Sequence, residues 1–218
     1  MKRHPGNANL KLWYEDQYRG LPLQVEKGPF VRSYLRYLDW VITKSVDVYC
    51  RVFAFRFDLR FPAQSELHSN FYNNAVIERF FDSFKAKIRH NRFRVGSSGK
   101  QVHGSRVRYV WAREVGLYGK PHYHCLILLN RDAFHRLGKF EQGRDNIFNR
   151  LVEAWASALR LTVDESRGLV HIPENPSYYL RRDDELGQQE LFFRASYLCK
   201  AATKAYGDGQ HGFGYSRT

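Results

Sequence analysis

Two adjacent stretches limit what this chain can fold into more than any others. Val107 to Val115 reads VRYVWAREV, and Pro121 to Leu129 reads PHYHCLILL. Both are rich in β-branched and aromatic residues, which favours strands. Between them, Gly116-Leu117-Tyr118-Gly119-Lys120-Pro121 holds two glycines and a proline, the composition of a turn. The pair therefore reads as a β-hairpin. Side chains alternate along a strand with a period of two. His122 and His124 then share a face with Leu126 and Leu128, while Tyr123, Cys125, Ile127 and Leu129 take the other. With the turn centred near Tyr118, Glu114 falls across from His122 on the same face. One carboxylate and two imidazoles converge, a three-ligand set for a divalent cation with positions left open for water or substrate. Alternating histidines are also common as ordinary strand residues, so the rest of the chain must decide.

The second constellation is Glu190 to Lys204, ELFFRASYLCKAATK. Leu191, Ala195, Leu198 and Ala202 form one apolar helical stripe. Tyr197, Lys200 and Lys204 fall on a different face, turned away from the core. An amphipathic helix with an ordinary surface tyrosine gives the same pattern. Tyr178 and Tyr179 are rival nucleophiles, but they sit in an irregular polar stretch, Pro176 to Gln189, with Arg181 and Arg182 where a lysine would be needed.

A glutamate eight residues before HxH, followed by a downstream YxxK, resembles the HUH endonuclease superfamily of single-tyrosine replication initiators. Within it the chain looks most like the inovirus-type replication proteins of phages and prophages. FRFDLRFP (Phe55 to Pro62), YLCKAATK (Tyr197 to Lys204) and HGFGYSRT (His211 to Thr218) carry that narrower likeness, which extends from about Val46 onward. Tyr123 stands at the hydrophobic position of the HUH motif, facing away from the ligands. The resemblance implies an α+β, ferredoxin-like HUH fold with a largely antiparallel sheet and flanking helices. It implies a nuclease that nicks and rejoins single-stranded or hairpin origin DNA to start rolling-circle replication. Glu114, His122 and His124 would hold Mg²⁺ or Mn²⁺, and Tyr197 would form a 5′-phosphotyrosine link. Lys200 would balance charge beside the tyrosine, and Lys204 would contact the DNA backbone. The mixed oxygen and imidazole ligand set suits Mn²⁺, and zinc is also chemically plausible. A transposase or relaxase would use the same chemistry, and a non-enzymatic DNA-binding protein would use none of it.

A net charge of +13 in 218 residues, with a pI near 9.8, points to a polyanionic partner. No apolar run approaches a membrane span of ~20 residues, and MKRHPGNANL lacks an apolar signal core. A cytoplasmic location without membrane contact is expected. Cys50, Cys125 and Cys199 form no CxxC pair, which argues against a disulfide framework.

In chain order, residues 1–28 read as an arm, 29–206 as the nuclease domain and 207–218 as a loose glycine-rich tail. Pro29 opens a helical pattern through Leu35, Leu38, Val41 and Ile42. Val46 to Phe61 alternates as a central strand, with Phe53, Phe55, Phe57 and Leu59 on one face and Arg56 and Asp58 on the other. Asp58 is a further ligand, a support for one, or half of a strand-end salt bridge. Asn73 or Asn74 caps a helix expected to end near His90. Lys85, Lys87, Arg89, Arg92 and Arg94 at its end and exit either neutralise nucleic-acid phosphates or form a solvated helix end. Gly96 to Lys100 fails the phosphate-loop spacing. Lacking that motif, the protein would depend on a host helicase and polymerase. Gly143 to Leu161 is amphipathic and helical, and Gly168 to Pro173 is a short strand.

Overall fold

The computed structural model describes residues 2–62, 72–116 and 120–217. The centre of the hairpin turn and most of the connection expected over Pro62 to Asn70 lie outside the described residues. The chain opens with β1 (Arg3–His4), β2 (Asn7–Trp13), β3 (Gln17–Tyr18), β4 (Leu21–Pro22) and β5 (Phe30–Val31), then α1 (Arg32–Val48). There follow β6 (Arg51–Leu59), α2 (Ala75–Ser97), β7 (Arg108–Val115), β8 (Pro121–Asn130) and α3 (Ile147–Leu159). β9 (Val170–His171), β10 (Ser177–Arg181), α4 (Glu185–Ser196) and β11 (Phe213–Tyr215) complete the order. The result is a mixed α/β architecture around a central antiparallel sheet, ordered β10-β6-β8-β7-β11, with β9 paired to the end of β6. A smaller sheet, β1-β2-β5, and the hairpin β3-β4 are formed by the N-terminal segment. Among the described residues no helix is long and apolar enough to cross a membrane.

Both faces of the central sheet are covered, which is why β6 and β8 are apolar almost throughout. Phe53, Phe55, Phe57, Ile127 and Leu129 meet Phe80 and Phe84 of α2 and Leu151 and Trp155 of α3. Val52, Ala54, Leu126 and Leu128 meet Leu35 and Leu38 of α1 and Leu191 of α4. Along that second face the alternation continues beyond the apolar positions. Asp58, His122 and His124 occupy the places where further core residues would otherwise stand.

Several boundaries differ from expectation. Val46–Val48 belong to α1, and the strand starts at Arg51. α1 itself begins at Arg32, after the short strand β5, and not at Pro29. α2 runs past His90 to Ser97, so Arg92, Arg94, Gly96 and Ser97 are helical. α3 starts at Ile147, where the Asn146 Oδ1 accepts from the Asn149 N–H at 2.9 Å. The polar stretch after Pro176 is not irregular: it holds β10 and the first turn of α4.

The glycine-rich tail was expected to be loose, yet Phe213–Tyr215 pairs with β7. Gly214 lies opposite Trp111, and a Cβ there would sit 2.4 Å from the indole Cε2. Glycine is required for that approach. Gly214→Ala should therefore lower stability by about 1–3 kcal/mol, the usual cost of overpacking. Urea denaturation followed by tryptophan fluorescence measures it, and an unchanged midpoint would show that the strand yields at no cost.

Candidate functional site

The β7–β8 register places Glu114 directly opposite His122 and Ala112 opposite His124. On the other side of β8, Asp58 is opposite His124. Residues opposite one another in an antiparallel pair share a face, so all four polar side chains emerge together. The ligand atoms of Glu114, His122 and His124 lie within 4.8 Å of one another. The two Nε2 atoms are 3.1 Å apart, and Glu114 Oε2 is 4.0 Å from that of His122 and 3.7 Å from that of His124. The Asp58 Oδ1 is 2.6 Å from His124 Nδ1, which fixes the ring so that its other nitrogen faces Glu114 and His122. A cavity of about 310 Å³, lined by Asp58, Arg60, Lys120, His122 and His124, opens beside the group.

The electrostatics follow from partial burial. Burial opposes ionisation of Glu114, but the hydrogen bond with His124 and the charge of Lys204 outweigh it and bring the carboxyl to about 2. Burial disfavours the charged form of His124, yet Asp58 and Glu114 raise its pKa above the ordinary value. His122, with no such carboxylate bond, is lowered by burial and by its charged neighbour.

The expected tyrosine–lysine helix is not continuous. α4 ends at Ser196, Tyr197–Cys199 form a 3-10 turn, and Lys200 is extended. The reason is a set of partners near the start of the chain. Gln24 Nε2 donates to the carbonyls of Phe193 and Arg194 at 2.8 and 3.0 Å, capping the helix. Ala201 N–H then donates to the Pro29 carbonyl at 2.8 Å, drawing the chain alongside β5. Ala202, expected on the buried stripe, is exposed. At Thr203 the backbone turns through φ +64°, a costly conformation for a β-branched residue, and Lys204 swings back under the sheet.

Tyr197 nevertheless reaches the histidines. Its half-buried ring stands edge-on to that of His124, centroids 4.9 Å apart. Arg56 and Lys200 approach the ring at 5.2 and 5.0 Å, and Lys200 Nζ lies 3.0 Å from Glu114 Oε2. Burial, Glu114 and Asp58 push the phenol's pKa well above its ordinary value, with Arg56 opposing them. Tyr197 was expected on a helix side free of the core; instead it packs partly against it. Lys204 was expected on DNA, but its side chain has 0% exposure and its Nζ lies 3.9 Å from Glu114 Oε1. A backbone contact is not open to that amine, whose pKa burial lowers to about 8.

The rival tyrosines lie elsewhere. Tyr178 pairs with Ala54, four positions from Asp58 or roughly 13 Å along the strand, and Tyr179 stacks on Phe53 on the opposite face. The basic residues of α2 also lie in the layer opposite the Glu114 group. Lys85 pairs with Asp82, Lys87 with Glu153 at 2.7 Å, and Arg94 with Asp145. Sequence reasoning passed over Arg56, Gln24 and His171. His171 lies opposite Asp58 on β9, and its Nδ1 is buried without a hydrogen-bond partner among the described residues. Arg56 and His171 were findable, since each continues the face of Asp58; Gln24 carries no local signal.

A family model described as the YagK/YfjJ C-terminal domain matches residues 14–216. Two relatives from Escherichia coli (strain K12) carry the names "Uncharacterized protein YagK" and "Uncharacterized protein YfjJ". The first is 33% identical over 198 residues, covering 87% of this chain and 95% of its own length. The second is 32% identical over 203 residues, covering 88% and 97%. No solved structure matches the chain.

Proposed function

The chain belongs to the YagK/YfjJ C-terminal domain family, and we propose that it is a metal-dependent endonuclease that nicks and rejoins single-stranded DNA through a tyrosine, as HUH replication initiators do. The observation that carries this reading is the Tyr197 ring lying edge-on to His124, in a group that joins Glu114, two imidazoles and Lys200. The path of the chain supports the ferredoxin-like part of the proposal. Apart from the two-residue β9, which intervenes before β10, the order β6-α2-β7-β8-α3-β10 is a βαββαβ unit, with α2 and α3 on one sheet face and the polar group on the other.

The residues fit a divalent cation. Glu114 is ionised down to about 2 with its Oε2 3.7 and 4.0 Å from the two imidazole nitrogens, and its Oε1, on the Lys204 side, is buried without a hydrogen-bond partner among the described residues. Glu114, His122 and His124 would hold Mn²⁺ or Mg²⁺, which supplies positive charge to the non-bridging oxygens of a phosphodiester. Asp58 holds His124 in the ligating orientation. Lys200 and Arg56 place two cations about the phenol, offsetting the carboxylates that resist its ionisation. The Tyr197 oxygen forms a bond to phosphorus as the bond from phosphorus to the 3′ oxygen breaks. The phenol's proton is lost to water and the departing oxygen takes one up, leaving a 5′-phosphotyrosine and a 3′-hydroxyl. The reverse step rejoins the strand.

The test is a denaturing gel of the full chain incubated with labelled single-stranded DNA from its own replicon, in Mn²⁺ and in EDTA. A covalent adduct in Mn²⁺ alone is expected. Tight binding without an adduct in any divalent metal would replace the nuclease with a DNA-binding protein. Transposase or relaxase roles share the chemistry and differ in the DNA that is cut. Asp58→Ala should weaken Mn²⁺ binding about 10–100-fold, the usual effect of losing a ligand's supporting carboxylate. Calorimetric titration measures it, and unchanged affinity would remove Asp58 from the site.

A further inference from the structure

The far side of the sheet carries a second concentration of charge. Ala133 to Phe140, Arg144 to Ile147 and Pro176–Ser177, with Asn91 and Arg92 of α2 and Arg150 of α3, line a cavity of about 770 Å³, and an adjoining one of about 560 Å³ shares Asn91, Arg144, Asp145 and Arg150. The loop begins after Asn130, six residues beyond His124 on β8, which sets it roughly 20 Å along the strand from the imidazoles. It also faces the α2–α3 layer. The groove thus lies across the sheet from the Tyr197 group, and comes nearest to it at Pro176, whose carbonyl accepts from the Arg56 N–H at 2.9 Å.

Its walls are built in advance. Gly138 has φ +89°, and a Cβ there would meet the Asn146 Cβ at 2.6 Å, so the loop sits tightly on the start of α3. Asn146 Nδ2 donates to the Lys139 carbonyl at 2.8 Å, Phe148 N–H to Leu137 at 3.0 Å, and Asn149 Nδ2 to Glu141 at 2.8 Å. The groove also has too few acids for its bases. Asp145 alone serves both Arg150, which is buried, and Arg94. Arg92 lies over the Phe134 ring at 4.4 Å, with Arg150 at 6.0 Å from the same ring. Among the described residues Arg136 and Lys139 form no salt bridge, and the one carboxylate whose charge Arg92 feels is Asp145, which already serves two other arginines. The N-terminus of α3, the positive end of its dipole, opens onto the same cavity. Phe140 stands at the rim, 56% exposed and backed by Phe148 at 4.6 Å.

We propose that this groove grips the phosphodiester backbone of a nucleic-acid strand outside the nicking centre, with Phe140 offering a face on which a base stacks. Surplus guanidinium and ammonium groups recognise spaced phosphates, and an exposed aromatic beside them suits unpaired bases. The proposal rests on nucleic acid being the polymer the protein acts on, and not on Tyr197 being a nucleophile.

The test is fluorescence anisotropy of labelled oligo(dT) with the full chain in EDTA, over a range of salt. Arg136 and Lys139 are exposed, so Arg136→Ala with Lys139→Ala leaves the core intact. A control, Lys44→Ala with Arg19→Ala, removes equal charge from exposed ion pairs elsewhere. Expected is roughly tenfold weaker binding by the groove variant and a salt slope shallower by about 1.4, with the control like wild type. Equal losses in both variants would mean that net charge alone binds, and equal affinity of wild type and groove variant would place the strand elsewhere; either overturns the proposal. So would inorganic tripolyphosphate displacing oligo(dT) as well as unlabelled oligo(dT) does, phosphate for phosphate. Because binding is read without metal, its failure is distinct from a failure to form the covalent adduct.

Discussion

Tyr197→Phe should abolish the covalent protein–DNA adduct, with nicking in Mn²⁺ reduced on the order of 10⁴-fold or more, the scale of loss when a nucleophile is removed. The substitution deletes one oxygen. The ring that stands against His124, and that Arg56 and Lys200 flank, keeps its shape and its contacts. Fold, metal affinity and DNA binding should therefore be unchanged, which separates a lost nucleophile from a damaged site. Circular dichroism and Mn²⁺ titration of the variant provide that control. Tyr178 and Tyr179 cannot substitute, since one is roughly 13 Å along the strand and the other points through the sheet. An adduct that survives Tyr197→Phe would show that the tyrosine beside His124 is a packing residue only.

The largest loss of stability is expected at Trp155. Its side chain is fully buried among the edges of Phe61, Phe80 and Tyr123, at ring distances of 5.4 to 6.3 Å. Its Nε1 donates to the Arg60 carbonyl at 2.8 Å. Trp155→Ala leaves a cavity and an unpaired carbonyl, at a combined cost of about 3–5 kcal/mol. For a domain of this size each kcal/mol moves Tm by about 2–4 °C, so a fall of roughly 6–20 °C is expected in a thermal melt. A cost below about 1.5 kcal/mol would mean that α3 does not pack on the sheet as described.

The central hairpin was readable because its information is local. The alternation of His122, His124, Leu126 and Leu128 sets their face, and two glycines limit the turn, so the opposition of Glu114 and His122 follows from residues close in sequence. Phe53, Phe55 and Phe57 likewise declare a strand by period alone. Val46–Val48 do not, since they fit the end of a helix as well as the start of a strand, and the helix won through its packing. The end of α4 was invisible for a stronger reason. Tyr197, Leu198 and Cys199 continue the helical pattern, and what stops the helix is Gln24 and Pro29, some 170 positions away. The burial of Lys204 depends on the same distant contacts. Phe213–Tyr215 was hidden because a short strand holding a glycine looks like a tail until Trp111 is seen above it.

The Gln24 cap has one more consequence. The histidines and Glu114 are held by the ladder of the central sheet, whereas the tyrosine is held by a clasp between the first strands and the segment after α4. Two pieces of architecture thus hold the two halves of the proposed chemistry, and they meet where Val115 N–H donates to the Thr203 carbonyl at 3.2 Å and Lys200 reaches Glu114. In the proposed nicking reaction, a change at the clasp would therefore act first on the position of the tyrosine and on Glu114 only through those contacts.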